Sequence, residues 1–407
     1  MSDRPRPLRL GRMMAMAALG AAVTGTATFA APQERLARDD AARKLEERFV
    51  LGPAAADDLG FRVAWQTGAL VSKGAEAQHV SVSADSVWFG DTAGSVVRLR
   101  LDSGETVWRG STNPGIERIT AIEHLPTAGR DNVYVVTDLN SVAMDAATGT
   151  IVRKSTFSHL PSQAPAVHGP SMIYGSRTGL CCWFQYGTGF NWRASSLGGN
   201  ILAPVAVSGQ VAVVGSTSGT IHALDASNAA ILWTRRLAAG VETRIAVDDK
   251  ACFVSSIDQS VWAFDLSNGR VLWQHFASAP LRNAPTRIAD GLYVQIPGEG
   301  LVSFNPAPRD KPDGEIRWRS TAAGNVIGAS GTRLFAWDER TKAMSVVDAA
   351  SGRVIHEARI PSAVHVRFTA PVDGDLLVMA ADGRVERLSP ARREAPSAAS
   401  ASAAPAP

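Results

Sequence analysis

The sequence predicts an all-β fold: an eight-bladed β-propeller closed by its own N-terminal strand. Three observations carry this expectation. A repeat near 40 residues runs from Asp102 to about residue 389, each copy reads as four short strands divided by Gly and polar turns, and one unattached strand sits a period ahead of the first copy. A chain of 407 residues with 45% apolar and 19% charged residues can fill the core that such a ring needs.

The elements follow in order. Residues 1–30 have the three-part pattern of a secretory signal: basic Met1–Arg12, a weakly apolar run from Met13, and small residues around Phe29. An uncleaved anchor is the other reading, in which case the leader is the only link to a membrane; its Gly and Thr content favours cleavage. Either way the body is expected to be exported, to a periplasm or cell envelope. Arg9 and Arg12 are not adjacent, so no twin-arginine signal is present, and no cysteine stands near the cleavage position to make a lipobox. Residues 31–60 read as a helical linker. Its helix covers 33–49, with i,i+4 pairs Glu34/Arg38, Asp39/Arg43 and Asp40/Lys44 and a narrow apolar stripe that rests lightly on the body.

The propeller occupies residues 61–390. Its clearest copies place an Asp at the end of the third strand and a Trp in the fourth: Asp225 with Trp233, and Asp265 with Trp273. The same position falls at 102, 145, 185, 225, 265, 305, 348 and about 389, at intervals of 43, 40, 40, 40, 40, 43 and 41. The structural repeat residues are Asp102, Asp145, Asp225, Asp265 and Asp348 with Trp65, Trp108, Trp192, Trp233, Trp273 and Trp318. The carboxylate caps N–H groups of the following turn, where Gly149, Gly269 and Gly352 supply positive φ. The Trp wedges between blades, where a large ring covers much apolar area. In one blade the expected strands are Ile201–Val207 (innermost), Gln210–Gly215, Thr220–Leu224 and Ala230–Arg235, each alternating as stacked sheets require. The last copy has only Phe368–Val372, Leu376–Ala380 and Arg384–Leu388. Phe61–Gln66, whose Trp65 precedes Trp108 by 43 residues, completes it. Two copies depart from the pattern: Asn305 replaces Asp and precedes a longer loop, and Gln185 replaces Asp beside Cys181 and Cys182. The Ala/Ser/Pro-rich tail 391–407 is expected to be disordered.

Charge narrows the function. Arg4, Arg6, Arg9 and Arg12 against Asp3 account for the whole net charge of +3, leaving a neutral body. No basic surplus remains to neutralise phosphates, so no nucleic-acid partner is expected. Three cysteines cannot build a disulfide framework, and the eight histidines show no short metal-ligand spacing. Asp91, Asp138 and Asp258 suit turn capping better than calcium binding, and His222 and His275 suit packing or the rim. Arg244, Arg282 and Arg287 lie near innermost strands, where they make either an anion site in the tunnel or ordinary solvated polarity.

The Asp-x-x-x-Gly-x-x-x-Trp form of residues 61–390 resembles the PQQ-like propeller family. That family contains quinoprotein alcohol dehydrogenases and the BamB scaffolds of outer-membrane β-barrel assembly. Length and plan resemble the BamB branch, without its lipobox cysteine. Where that branch docks its barrel partner through Leu-Ser-Leu-Arg, this chain has Ser195 to Gly198, so the resemblance implies a scaffold role and no particular partner residues. It implies a monomeric, non-catalytic ring that binds envelope proteins or peptides on one face, with no cofactor. The enzyme alternative, with PQQ and calcium, rests on Cys181 and Cys182 as a vicinal disulfide. In a regular strand, however, neighbouring side chains point to opposite faces, and packed free thiols are expected. A small-ligand sensor using the tunnel is a third reading.

Overall fold

In the computed structural model, residues 48–83, 85–112, 117–127 and 129–391 are described. They form eight four-stranded antiparallel sheets, one per blade, in a β-propeller ring. Blades one to seven span residues 77–111, 119–156, 166–196, 206–236, 246–276, 286–320 and 325–359. Blade eight takes three strands from 363–390, and Phe61–Gln66 is its outermost strand, paired antiparallel to Val385–Pro390. The ring thus closes through hydrogen bonds between the two ends of the propeller, leaving no blade with a missing strand. The leader, nearly all of the expected helix 33–49 and all of the tail except Ala391 lie outside the described residues.

The second and third strands of each blade carry most of the core. Ser86–Asp91 and Asn132–Thr137 are buried at every position. Strict alternation was expected there and is not seen, because neighbouring blades cover both faces of these central strands. Alternation survives in outer strands such as Glu315–Ser320, whose first, third and fifth residues are exposed while the residues between them are half-buried or buried. Two innermost strands also differ from expectation. Blade four starts its sheet at Ala206–Ser208, not at Ile201, since Pro204 has no N–H for a ladder. Blade eight starts at Ala363–Phe368 instead of Phe368–Val372. There, His365 and Arg367 interrupt the apolar pattern because they face the lumen, and past Phe368 the expected run makes only an isolated parallel bridge, Val372 to Ala329 of blade seven.

A helix forms at Pro53–Leu59, outside the expected span. Pro53 fits its first turn, and Gly60 ends it at φ 86°, in the left-handed region where glycine carries no Cβ penalty. It buries Ala56 and Leu59 in a cluster with Phe335 and Val346 of blade seven, Ile360 just after it, and Phe368 of blade eight. The segment before it is tied to the body. Glu386, fully buried, accepts from the N–H groups of Val50 and Leu51, and Arg384 donates to the carbonyls of Arg48 and Phe49 at 3.0 and 3.1 Å. Val50 and Leu51 are buried, so this end of the linker is part of the core.

Candidate functional site

The seams between blades follow one rule of geometry. In every blade the outermost strand carries a β-bulge. A bulge bends the strand and re-aims the next side chain, here toward the following blade. Trp65, Trp108, Trp233, Trp273 and Trp318 occupy that position. Each indole N–H donates to a carbonyl one residue past the third strand of the next blade: Leu101, Ala146, Leu266, Pro306 and Ala349, at 2.8–3.2 Å. The ring lies against a turn glycine whose Cβ would collide with it; at Gly269 that Cβ would come within 2.6 Å of Trp233. Glycine is needed there twice, for space and for φ +70°.

Asp145, Asp225, Asp265 and Asp348 sit at the ends of third strands and cap these turns. Their Oδ1 atoms accept from Thr148, Ser227, Ser267 and Ser351 N–H at 2.8–3.0 Å. Hydrogen bonds from the hydroxyls of those four residues hold each carboxyl below its usual range. Asp102 does not share this place. Gly104 N–H closes its turn on the carbonyl of Arg100, as Gly149 N–H does on Asp145, so Arg100 is the equivalent residue and Asp102 is an exposed turn position two residues later. The spacing from Asp102 to Trp108 resembled a shortened repeat because the real turn begins at Arg100.

Trp192 also departs from its expected role. It is the unpaired bulge residue of blade three, half-buried, with its indole donating to Ser171 Oγ at 3.2 Å. The seam is filled instead by Trp183 of the third strand, fully buried, whose indole donates to the Ala226 carbonyl at 2.9 Å. Blade four has Ala229, at φ 63°, where other turns have glycine, so a ring from the outer strand would lack its usual seat. At the seam between blades two and three, Arg153 takes the Trp position and donates to the carbonyls of Tyr186 and Gly187. At the seam between seven and eight the position holds His356, and the helix Pro53–Leu59 packs there.

The lumen is a concavity of about 950 Å³, with Val80, Val167, Val207, Val247, Val326 and Phe368 in its wall. His79, Arg244, Arg287, His365 and Arg367 also line it. Side chains of blade eight reach across the closing seam: His365 Nε2 is 2.9 Å from the Gln78 carbonyl, and Arg367 donates to the Val80 carbonyl at 2.9 Å. Burial, Arg367 and His365 together push His79 down to about 3, and burial lowers His365 as well. Glu123 of blade two faces Arg367; burial raises its carboxyl, with the arginine opposing. Of the three arginines named from sequence, Arg244 and Arg287 reach the lumen, whereas Arg282 pairs with Glu242 at 2.6 Å outside its lining. Asp91 caps the N–H groups of Ala93 and Ser95 and also accepts from Ser72, Asp138 accepts from Arg118 N–H, and Asp258 accepts from Ser260 N–H and the Trp262 indole.

A family model described as "Outer membrane protein assembly factor BamB" matches residues 54–192 and 189–308, more than half of the chain. The chain belongs to that family. The crystal structure of BamB from Moraxella catarrhalis is 20% identical, with a TM-score of 0.62 across 78% of this chain and 95% of that one. A computationally designed protein, Ika8, gives a TM-score of 0.63 at 13% identity, across 80% of this chain and 99% of its own. At such identities the likeness is one of fold. No curated protein matches the sequence.

In this BamB-family propeller the cysteine pair lies in a regular strand. Cys181 packs into the core toward blade four and Cys182 into the core toward blade two, and both are free, as is Cys252. Burial raises all three thiols, Cys182 and Cys252 to about 12. No group of three or more His, Cys, Asp or Glu side chains suited to a metal ion occurs among the described residues. Among those residues no helix is long and apolar enough to cross a membrane. The lumen cluster His79, His365, Arg367 and Glu123 was missed in the sequence. Its one signal was the basic pair at i and i+2 inside Ala363–Phe368, which places both on one face of a strand.

Proposed function

We propose that the protein is an exported, non-catalytic scaffold of the cell envelope that docks a protein or peptide on a face of the ring, as a monomer and without a cofactor. The family match over residues 54–308 carries this reading. The chemistry of the ring supports it. Five of the six repeat Trp side chains and four of the repeat Asp residues are engaged in seams and turns, and the buried thiols are poor nucleophiles because they resist ionisation. The test is crosslinking of the full chain in its native envelope, with partner identification and cell fractionation. Recovery of a defined envelope partner is expected. Cytoplasmic retention, or saturable PQQ and Ca²⁺ binding with alcohol-dependent dye reduction, would overturn the reading in favour of another compartment or of an oxidoreductase.

A further inference from the structure

Five basic side chains line the lumen, His79, Arg244, Arg287, His365 and Arg367, and the acid of the same cluster is Glu123. Two of the arginines have an acid beside them. Asp248 holds Arg287 at 3.0 Å, and Glu123 faces Arg367 from blade two. Arg244 has no such neighbour; among the described residues it makes no hydrogen bond or ion pair, and it is exposed to the lumen. Arg367 uses one N–H on the Val80 carbonyl, and a guanidinium has five to offer. The two guanidinium groups come from the segment leading into blade five and from blade eight, and act on each other as like charges. Both open on one concave cavity whose protein walls screen charge less than bulk water does, so an opposite charge is worth more between them than on an open surface.

We propose that the lumen binds a small polyvalent oxyanion, a phosphate or a di- or tricarboxylate, held between Arg244 and Arg367. Planar guanidinium groups match carboxylate and phosphate oxygens with paired N–H bonds. A lumen of about 950 Å³ is at the upper end of small-ligand sites and admits no folded domain. The bound anion neutralises two facing cations and joins the segment leading into blade five to blade eight across the ring. This site is independent of a partner docked on a propeller face, so either idea can fail alone.

The test is titration calorimetry of the full chain at fixed ionic strength with inorganic phosphate, citrate and, as a monovalent control, acetate. Saturable one-to-one binding of phosphate or citrate is expected, with acetate at least tenfold weaker. Phosphate alone would assign phosphates, citrate alone carboxylates, and both the shared class. Arg244→Met should weaken binding at least tenfold, since this exposed side chain has no fold contact to lose. Arg282→Met, which removes a charge outside the lumen, should leave binding unchanged. Circular dichroism checks that both variants fold. No saturable binding by either polyvalent anion, acetate binding as tightly, equal affinity in Arg244→Met, or equal loss in Arg282→Met would overturn the proposal.

Discussion

Trp183 and Trp192 give the sharpest test of how the blades are joined. The repeat pattern points to Trp192 as the wedge of blade three, whereas the structure puts Trp183 in the seam. Trp183 is fully buried among Ile173, Leu224 and Val214, and its N–H meets the Ala226 carbonyl. Replacing a buried Trp by Ala costs about 3–5 kcal/mol through lost transfer energy and the cavity left behind. Trp183→Ala belongs at about 4 kcal/mol, because the sheets on either side cannot collapse into the gap without breaking their ladders. Trp192 is half-buried on the outer strand, so Trp192→Ala should cost about 1 kcal/mol. Unfolding entropy of about 2 cal/mol/K per residue over roughly 340 ordered residues converts 4 kcal/mol to a fall in Tm of about 6 °C. Trp183→Phe keeps most of the ring but orphans the Ala226 carbonyl, and should cost about 1–2 kcal/mol. Calorimetric melts of the three variants check the order. A larger loss for Trp192→Ala than for Trp183→Ala would refute the assignment of the seam.

Four further outcomes follow from the same geometry. Gly269→Ala should destabilise by about 2–3 kcal/mol in a urea melt and Gly209→Ala by about 1, because both have positive φ but only the first meets a Trp ring; equal losses would show that the Trp233 contact is slack. Truncation to residue 52 should lower Tm by several degrees, since it removes buried Val50 and Leu51 and the two N–H donors of Glu386; a melt matching the full chain would show that this strap is not part of the core. Alkylation at pH 8 should leave Cys181, Cys182 and Cys252 unlabelled in the native protein and label all three after denaturation without reductant, because only the thiolate reacts and burial suppresses it; a Cys181–Cys182 peptide two protons light would reverse this. His79 is held near 3 while the unfolded chain titrates near 6.5, so below pH 6.5 the unfolded state binds the extra proton and stability falls as pH drops toward 3. His79→Gln should flatten that acid limb, with His365 retaining a smaller part of it; parallel limbs in urea midpoints from pH 7 to 4 would contradict the burial of a neutral His79.

What was legible in the sequence was whatever repeats. Asp225, Asp265, Trp233 and Trp273 stand at a fixed spacing because each blade must solve the same turn and the same seam, and closure by Phe61–Gln66 followed from Trp65 preceding Trp108 by one period. What was not legible is where a blade solves the seam differently. Arg100 looks nothing like Asp145, yet its carbonyl closes the same turn, because that bond belongs to the backbone and any side chain can provide it. The helix Pro53–Leu59 was hidden because its seven residues show only two buried positions, Ala56 and Leu59, too few to display a period. The lumen cluster was hidden because its members come from blades one, two and eight. His79 and Arg367 are 288 positions apart in the chain and adjacent only after the ring closes.

The seams show what this fold actually repeats. At seven of the eight, a backbone carbonyl just past the third strand or its turn accepts a hydrogen bond from the preceding blade. The donor varies: five outer-strand Trp residues, the guanidinium of Arg153, and Trp183 from the third strand. A turn carbonyl at a seam has no strand to pair with and is costly to leave unmet, so the acceptor is imposed by the blade and any long donor that reaches it will serve. That freedom explains why Gln185 and Trp192 could break the pattern without opening the ring. It also explains the eighth seam. There, His356 makes no such bond among the described residues, and the barrier to water is apolar instead: Leu59 and Phe61 pack against Phe335, Val346 and Phe368. The N-terminal segment therefore has two tasks at one place, supplying the last strand of blade eight and sealing the seam where no donor reaches the turn carbonyl among the described residues. A chain missing that segment would lose both together, which is why this seam and the closing strand are expected to open as one unit.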